Sequence, residues 1–446
     1  MEPRGVGAEE PEQVPEKKEP GREREQKLIR HLGREPGGVV GRDFPDQAAE
    51  DSPDESEFSH ARRRVYFAAS KYPLNFRALR PVKKILLLTA GYGEGHNAAA
   101  RGIREGLAQV APEVEVQLRD LFAETFGAFH VFVRNAYLTL INHWPRSWGY
   151  VYRWLDRKKD FDKSFARFVR IKKQLTDLLA SFQPDVVVSV FPAYPYLLEQ
   201  VSGRDRGCKS VVVVTDSITV NRIWYQCQAD YFLLPNERSA DVLRAEGIAP
   251  ERIKAFGFPV SPKFAECWED RRLPLEKSAP HVLYMINAGT RSAPDLVRRL
   301  LDLELSLTVT VGRDERLRRA IEAVAKASSE RNRKIEIVGW TDQLPSMLCA
   351  SHLLIGKAGG AAVQEAIAAR CPMIINHIVS GQEEGNARLI TETNSGAIAL
   401  SPDEVVAQVQ RAFADDARQW REWEANISKL SRPRASLDIA EFLLSI

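Results

Sequence analysis

The stretch LLIGKAGGAAVQEAIAARCPMIINHIVSGQEEGN, residues 353–386, decides the fold. The apolar residues 353–355 and 373–375 predict two buried strands. Residues 361–369 between them predict a helix, because their apolar side chains recur at helical spacing. A turn rich in glycine joins the first strand to this helix. A strand, a glycine turn, a helix and a second strand, in this order, are typical of a parallel α/β sheet.

The glycine turn predicts a phosphate-binding site. Gly359 and Gly360 precede the predicted helix, whose first N–H groups lack partners and carry a partial positive charge of roughly half a unit. Lys357 adds a full positive charge beside this turn, and Glu365 lies in the early turns of the helix. A turn that binds no ligand is the alternative interpretation of the glycines taken alone.

A polar loop is predicted after the second strand, at residues 381–386. It carries Gln382, Glu383 and Asn386. Loops at the carboxyl ends of parallel strands are where α/β sheets bind ligands. A solvated turn is the alternative interpretation of this loop taken alone.

Length and composition indicate an ordinary globular protein with two domains. The chain has 446 residues, 28% of them charged, and a formal net charge of +3, so any basic surface must be local. The five cysteines form no C-x-x-C pair and have no histidines at metal spacing, which argues against a zinc site or a disulfide framework and fits a reducing compartment. No apolar run reaches the roughly 18 residues of a membrane span, and no signal peptide is expected.

The order of predicted elements divides the chain into four parts. Residues 1–60 are rich in charge, proline and glycine, cannot bury enough apolar surface to offset the entropy of ordering, and are predicted to be disordered. Strands and helices alternate through two following segments, which predicts an α/β fold with two doubly wound, Rossmann-like domains that face a cleft. The predicted parts are the leader at 1–60, a first domain at 61–262, a second domain at 263–430 and a last helix at 431–446.

The first predicted strand, at 83–89, leads into the turn AGYGEGHNAAA at residues 90–100. A dinucleotide fingerprint requires glycine where His96 stands, and no Gly-Lys-Ser/Thr follows, so nicotinamide-dinucleotide binding is disfavoured and a P-loop is excluded. An imidazole has an ordinary pKa of about 6.5 and can accept a proton at neutral pH, which makes His96 a candidate general base. A helix-start histidine paired with the backbone is the alternative interpretation.

Residues 122–174 combine many aromatic side chains with many lysines and arginines. This composition is typical of a surface for single-stranded nucleic acid or for an anionic membrane, and a pair of helices with buried aromatics and solvated cations is the alternative. Tryptophan is favoured at the headgroup level, and each basic residue near an anionic leaflet contributes about 1 kcal/mol. The candidate membrane-facing residues are Trp144, Trp148, Arg153, Trp154, Lys158 and Lys159.

Five motifs together resemble glycosyltransferase family 28, in the branch of the monogalactosyldiacylglycerol synthases and processive diacylglycerol glucosyltransferases. They are GKAGGAAVQEA at 356–366, GQEEGN at 381–386, GYGEGH at 91–96, Thr215-Asp216 followed by Trp224, and GFPVSPKF at 257–264. The resemblance covers roughly residues 82–430. It favours a membrane surface as the function of residues 122–174, because the lipid acceptor lies in the membrane.

The resemblance implies a glycosyltransferase B-type fold and inverting transfer of a hexose from a UDP-sugar to the hydroxyl of diacylglycerol. The partners would be a UDP-hexose, diacylglycerol and an anionic membrane surface, with no nucleic acid. No cofactor or metal is expected, because the leaving-group charge would be held by the glycine turn and its helix. The chain would be a peripheral protein on the cytoplasmic side of the membrane, and its last helix would cross back onto the first domain.

The resemblance also implies roles for individual residues. His96 and Asp216 are the catalytic candidates, with Asp216 orienting His96, acting as the base itself or only capping a turn. Gly93 and Gly95 would line the acceptor side. Trp340 would lie against the uracil, or alternatively would close the core at a strand end. The remaining candidates for UDP-sugar binding are Gly289, Thr290, Gly339, Thr341, Lys357, Gly359, Gly360, Glu365, Gln382, Glu383 and Asn386.

Two departures from the family pattern leave other functions open. Asn221 stands where many relatives have histidine, and residues 287–292 contain fewer glycines than the family uses beside the diphosphate. A UDP-sugar epimerase, a transferase with another acceptor and a non-catalytic UDP-sugar sensor are therefore the alternatives. The identity of the sugar, the number of sugars added and the oligomeric state do not follow from the sequence.

Overall fold

A computed structural model describes residues 82–91, 94–127, 165–203, 206–218, 220–267, 274–275, 278–287, 290–328, 335–379 and 383–446. The strands in these ranges form two six-stranded sheets, and every strand pair is parallel. The predicted leader at 1–60 lies outside the described residues, as does most of the aromatic and basic segment.

The first sheet has the strand order β2-β1-β3-β4-β5-β6. Its strands are β1 (Lys84–Leu88), β2 (Glu115–Arg119), β3 (Val186–Ser189), β4 (Lys209–Val213), β5 (Tyr231–Leu233) and β6 (Ile253–Lys254). The helices of this part are α1 (Glu94–Val110), α2 (Val169–Phe182), α3 (Tyr194–Ser202), α4 (Glu237–Ala245) and α5 (Lys263–Glu266), with 3₁₀ turns at Arg222–Trp224 and Pro250–Arg252.

The second sheet has the strand order β12-β11-β10-β7-β8-β9. Its strands are β7 (His281–Met285), β8 (Ser306–Gly312), β9 (Ile335–Gly339), β10 (Leu353–Lys357), β11 (Met373–His377) and β12 (Gly396–Ile398). The helices are α6 (Ala293–Leu300), α7 (Glu315–Ala327), α8 (Leu344–Ala350), α9 (Gly360–Ala368), α10 (Glu384–Glu392), α11 (Pro402–Leu430) and α12 (Ala435–Ser445).

The central strands of both sheets are apolar on both faces. In β1, the four residues from Ile85 to Leu88 are fully buried, and in β10 Leu353, Leu354 and Ile355 are fully buried as well. Parallel sheets require this composition, because crossover helices cover both faces. The predicted fold class, two Rossmann-like α/β domains, is therefore confirmed.

One local prediction is wrong. The polar cluster at 381–386 is not a loop throughout, because α10 begins at Glu384 and includes Gly385 and Asn386 in its first turn. The GQEEGN cluster therefore positions its last residues on a helix, where their direction is fixed by the backbone.

The described part of the aromatic and basic segment at 122–174 agrees with the alternative in which aromatic side chains are buried and cations are solvated. Phe122 is buried, and Phe165 and Phe168 pack against the same cluster beneath α2 and α3. The charged side chains Arg170 and Lys173 are exposed. Within the described ranges, no helix is both long and apolar enough to cross a membrane.

The last helix, α12, packs on α1 of the first sheet, although the chain reaches it from the second. α11 is broken at residues 414–417, where the backbone leaves helical geometry. Two glycines of α1 let other backbone segments approach this helix closely. A Cβ at Gly102 would lie 2.0 Å from the carbonyl oxygen of Pro259, and a Cβ at Gly106 would lie 2.5 Å from that of Ser436 in α12. Both distances are far below van der Waals contact, so side chains at these positions would separate the elements.

We therefore expect Gly106→Ala to destabilise the protein by about 1–3 kcal/mol, because the added methyl pushes α12 away from α1. Alanine alone would stabilise the helix by about 1 kcal/mol, so a loss of stability shows that the steric contact dominates. Urea denaturation measures the change, with Arg104→Ala on the exposed face of α1 as the control. A gain in stability for Gly106→Ala would contradict the packing described here.

Candidate active site

Polar residues gather where strands of both sheets end. β1 leads to α1 and His96, β4 leads to Thr215, Asp216 and Ser217, and β10 and β11 lead to the starts of α9 and α10. Helices α1 and α9 pack on each other, which brings the carboxyl edges of the two sheets together. This is the edge where open α/β sheets bind ligands.

His96, the third residue of α1, is held in one orientation. Its Nδ1 lies 2.9 Å from the carbonyl oxygen of Val190 and 3.2 Å from Oγ1 of Thr215. A carbonyl oxygen only accepts, so Nδ1 donates to it, and in the neutral ring the lone pair is on Nε2. Burial lowers the pKa of His96 to about 4, although the bond to Val190 favours the charged form. The ring is therefore uncharged at neutral pH, with Nε2 able to accept a proton.

Asp216 forms a hydrogen bond with a neighbouring tryptophan. Its Oδ2 accepts a hydrogen bond of 2.9 Å from Nε1 of Trp224. Burial raises the pKa of Asp216 to about 6, while hydrogen bonds from the Asn221 backbone and from Trp224 oppose this shift. The Trp224 ring lies 5.9 Å from the His96 ring between centroids, at an angle of 42°. Val190 and Thr215 therefore orient the His96 ring through Nδ1, whereas Asp216 orients Trp224.

The glycine turn carries an ion pair. Nζ of Lys357 lies 2.7 Å from Oε1 of Glu383, and Oε2 of Glu383 accepts a 2.9 Å bond from the backbone N–H of Val379. A Cβ at Gly359 would lie 3.6 Å from Cε of Lys357 and 3.8 Å from Oε1 of Glu383. Gly359 therefore packs directly against this pair at the start of α9, where no side chain caps the helix.

Glu365 of α9 faces the other sheet. Burial raises the pKa of its carboxyl group to about 7, and the positive charge of Arg101 on α1 partly offsets this effect. A carboxylate with a raised pKa in a cleft between two elements is a common feature of functional sites. The predicted role of Glu365, accepting from ribose hydroxyls, stays a prediction.

The predicted uracil loop places its tryptophan on the surface. Trp340 is 67% exposed, which contradicts the alternative that it closes the core. The guanidinium of Arg313 lies over the Trp340 ring at 5.2 Å from its centroid. A Cβ at Gly339 would lie 2.6 Å from the guanidinium of Arg318, and Thr341 accepts from the backbone of Gln343. An exposed aromatic with one covered face is suited to stack on a planar ligand.

Sequence reasoning missed several residues that the fold brings to this edge. Thr215, which the sequence placed in a motif without a role of its own, contacts His96. Burial lowers the pKa of His377 at the end of β11, and Lys357 adds to this shift while Glu383 opposes it. Ser217 and Gln364 meet across the two sheets. A polar residue at the end of a predicted strand was the signal available for Ser217 and His377, but their partners are distant in sequence.

The other predicted residues divide into described and undescribed positions. Gly95 lies in the first turn of α1 with open space at its Cβ position, Gly360 starts α9, and Thr290 lies shortly before α6. No group of three or more potential metal ligands occurs in the part of the chain that the structure describes. Outside the described residues lie Gly93, Gly289, Gln382, Trp144, Trp148, Arg153, Trp154, Lys158 and Lys159.

Sequence comparisons identify relatives over most of the chain. A family model described as monogalactosyldiacylglycerol (MGDG) synthase matches residues 96–260. The chain is 27% identical over 397 residues to a monogalactosyldiacylglycerol synthase of Spinacia oleracea, covering 84% of this chain and 74% of the relative. It is 25% identical to monogalactosyldiacylglycerol synthase 3 of Arabidopsis thaliana, covering 81% of this chain and 80% of the relative.

Structural comparisons show the same fold in more distant proteins. The chain aligns with MurG of Acinetobacter baumannii at 11% identity and a TM-score of 0.52, covering 82% of this chain and 100% of the other. It aligns with Os79 from O. sativa at 14% identity and a TM-score of 0.54, covering 81% and 99%. A UDP-GlcNAc 2-epimerase from Neisseria meningitidis aligns at 13% identity and a TM-score of 0.50, covering 81% and 100%. At these identities the likeness establishes the glycosyltransferase B-type architecture alone.

The raised pKa of Glu365 predicts a pH-dependent effect on stability. Above pH 7 the buried carboxylate is charged and destabilises the fold; as the pH falls from about 7 to about 4.5, the folded state takes up the proton and its stability rises. Glu365→Gln mimics the protonated form, so we expect it to be more stable than the wild type at pH 8 by about 1 kcal/mol. The difference should vanish near pH 4.5, which is the ordinary value for this group.

Thermal unfolding at several pH values measures this difference. Glu113→Gln, which changes an exposed carboxylate beyond the end of α1, is the control and should show no such trend. A constant difference between Glu365→Gln and the wild type across this range would contradict the assigned burial of the carboxyl group.

Proposed function

We propose that this chain, which belongs to glycosyltransferase family 28 in the branch of the monogalactosyldiacylglycerol synthases, transfers a hexose from a UDP-sugar to the hydroxyl of diacylglycerol. The observation that carries the proposal is the packing of α1, with its uncharged His96, on α9, with its glycine turn. This contact supports the proposal, because it brings His96, the proposed proton acceptor, and the start of α9, the proposed anion-binding site, to the two sides of one cleft.

The proposed reaction is a single in-line displacement at C1 of the sugar. The hydroxyl oxygen of the lipid forms a bond to C1 while the bond from C1 to the UDP oxygen breaks, which inverts the anomeric centre. The hydroxyl proton passes to Nε2 of His96, whose opposite nitrogen is held by Val190. Asp216 fixes Trp224 beside this imidazole and shapes the acceptor side.

The leaving UDP is stabilised by groups at the start of α9. Four N–H groups at a helix start and the ammonium of Lys357 act on the diphosphate without a metal ion. Lys357 is paired with Glu383 here, so donor binding shares this cation between the carboxylate and the phosphate. Glu365 accepts from the ribose hydroxyls, and Trp340, backed by Arg313, stacks on the uracil. Gln382 and Glu383 hydrogen-bond the hydroxyls of the sugar.

The acceptor reaches the cleft from a membrane surface. The sequence of residues 122–174 combines tryptophans with lysines and arginines, which suits an anionic leaflet. Diacylglycerol has no charged headgroup and stays in the bilayer, so the protein must work at its surface. We therefore propose a peripheral association through Trp144, Trp148, Arg153, Trp154, Lys158 and Lys159.

Release of UDP in the presence of lipid vesicles tests the proposal. Purified protein is incubated with diacylglycerol vesicles that contain anionic lipid, and with UDP-galactose, UDP-glucose or UDP-N-acetylglucosamine in turn. We expect turnover with one hexose donor that depends on diacylglycerol. Conversion of the donor without lipid would favour an epimerase, and UDP binding with no turnover for any donor would favour a sensor.

The state of His96 gives a pH prediction. Because its pKa is about 4, the base is unprotonated over the neutral range, and kcat at saturating donor should stay level from pH 8 to about pH 5 and fall toward pH 4. The ratio kcat/KM also reports the titration of Glu365 in the free enzyme, so kcat is the quantity to follow. His96→Ala should lower kcat by about 10²–10⁴-fold and keep the affinity for UDP. A fall centred near pH 6 that disappears in Asp216→Asn would instead assign the base to Asp216.

A further inference from the structure

Three consecutive residues after β4 connect three parts of the candidate active site. Thr215 contacts Nδ1 of His96, Asp216 binds Trp224, and Ser217 reaches the second sheet. The first two contacts lie within the first domain. The third joins the acceptor side to the donor side.

The hydroxyl of Ser217 both donates and accepts a hydrogen bond at the contact between the domains. It donates to Oδ1 of Asn386 on α10 at 2.7 Å, and it accepts from Nε2 of Gln364 on α9 at 3.0 Å. The three residues are 4%, 8% and 5% exposed. Water therefore cannot replace a lost partner easily, and removal of one partner leaves a buried polar group unsatisfied.

The connection continues on both sides of Ser217. Nδ2 of Asn386 donates to the carbonyl oxygen of Ala358, in the glycine turn, at 3.1 Å. In the first domain, the carbonyl oxygen of Ser217 accepts from Nδ2 of Asn236 at 2.6 Å and from the hydroxyl of Ser239 at 3.1 Å. Both ends of the Asn386 amide are thus engaged by protein groups, so Asn386 acts on the domain contact.

We propose that Ser217 is a positioning residue that sets the His96 side of the cleft relative to the glycine turn. The proposal rests on the proposed transfer reaction and adds a residue to it. A single displacement requires the acceptor oxygen, C1 and the leaving oxygen in line, and a misplacement of about 1 Å costs about 10²-fold in rate. The two reacting groups are held by different domains, and the Ser217 hydroxyl is a buried polar connection between the segment of Asp216 and the glycine turn.

The variant that tests this proposal is Ser217→Ala. We expect kcat to fall about 10–100-fold, because the buried Asn386 oxygen and Gln364 amide lose their partner. The affinity for UDP should change far less than kcat, because the proposed UDP contacts lie in the second domain and only the coupling through Ser217 is lost. Ser351→Ala is the matched control: Ser351 is fully buried, and its hydroxyl donates at 2.7 Å to Met347 within its own domain. It should keep the wild-type kcat.

Hydrogen exchange supplies a readout that does not depend on turnover. UDP added to the wild type should slow amide exchange in peptides that cover residues 213–218, because the Ser217 contact transmits ordering from the glycine turn. This protection should be lost in Ser217→Ala and kept in Ser351→Ala. Protection that persists in Ser217→Ala would overturn the proposal, as would wild-type kcat in that variant.

Gln364→Met tests the same contact from the second domain and serves if Ser217→Ala fails to fold. Both changes break one network, so the double variant should lose no more kcat than the worse single variant. If the fold-losses in kcat of the two single variants multiply in the double variant, the two residues do not share one role.

The wild type distinguishes the two proposals. UDP-dependent protection without lipid-dependent turnover would overturn the proposed reaction and leave the positioning role of Ser217 standing. A wild type without UDP binding would overturn both.

Discussion

Burial of polar groups between two sheets is the constraint on which the rest of this site depends. Ser217, Gln364 and Asn386 are nearly inaccessible to water, so each must find its hydrogen bonds in the protein. Their mutual bonds are formed only when the end of β4 meets the starts of α9 and α10. The geometry that satisfies these groups is also the geometry that brings His96 and the glycine turn to one cleft. The arrangement that gives these buried groups their hydrogen-bond partners is therefore the same arrangement that forms the cleft.

The electrostatics of the cleft follow from the same burial. A site with little water disfavours every isolated charge, so the pKa of His96 is lowered while those of Asp216 and Glu365 are raised. The ion pair of Lys357 and Glu383 keeps its charges because each compensates the other. The site therefore combines the neutral imidazole of His96 in the first domain with the Lys357–Glu383 ion pair in the second, the two features on which the proposed transfer depends. Burial of these ionisable groups destabilises the fold, and the burial of apolar side chains in the strands beneath the cleft must offset this loss.

A second packing constraint holds the two domains from behind. α12 follows the second domain along the chain but lies on α1, and Gly102 and Gly106 let backbone approach that helix closely. α1 therefore contacts the segment 257–264 at Pro259 and the last helix at its start, and α1 also carries His96. Movement of either contact would move the histidine.

The sequence allowed the two-sheet architecture to be predicted, because strand composition and glycine turns are local signals. Residues 353–377 form a strand, a helix and a strand as predicted. Local signals did not reveal that α10 starts within the GQEEGN cluster, since a charged and glycine-containing segment resembles a loop. They also could not reveal the hydrogen bonds of Ser217 with Asn386 and Gln364, because these contacts depend on how two independently predictable domains meet. The exposure of Trp340 was undecided by sequence for the same reason.

The anomeric configuration of the lipid product tests the central claim most directly. Wild-type protein is incubated with diacylglycerol vesicles and the UDP-α-hexose that supports turnover, and the glycolipid is extracted for proton NMR spectroscopy. A single in-line displacement with His96 as proton acceptor predicts a β-linked hexosyl-diacylglycerol. An α-linked product, or the absence of a hexosyl lipid with every donor, would contradict the account.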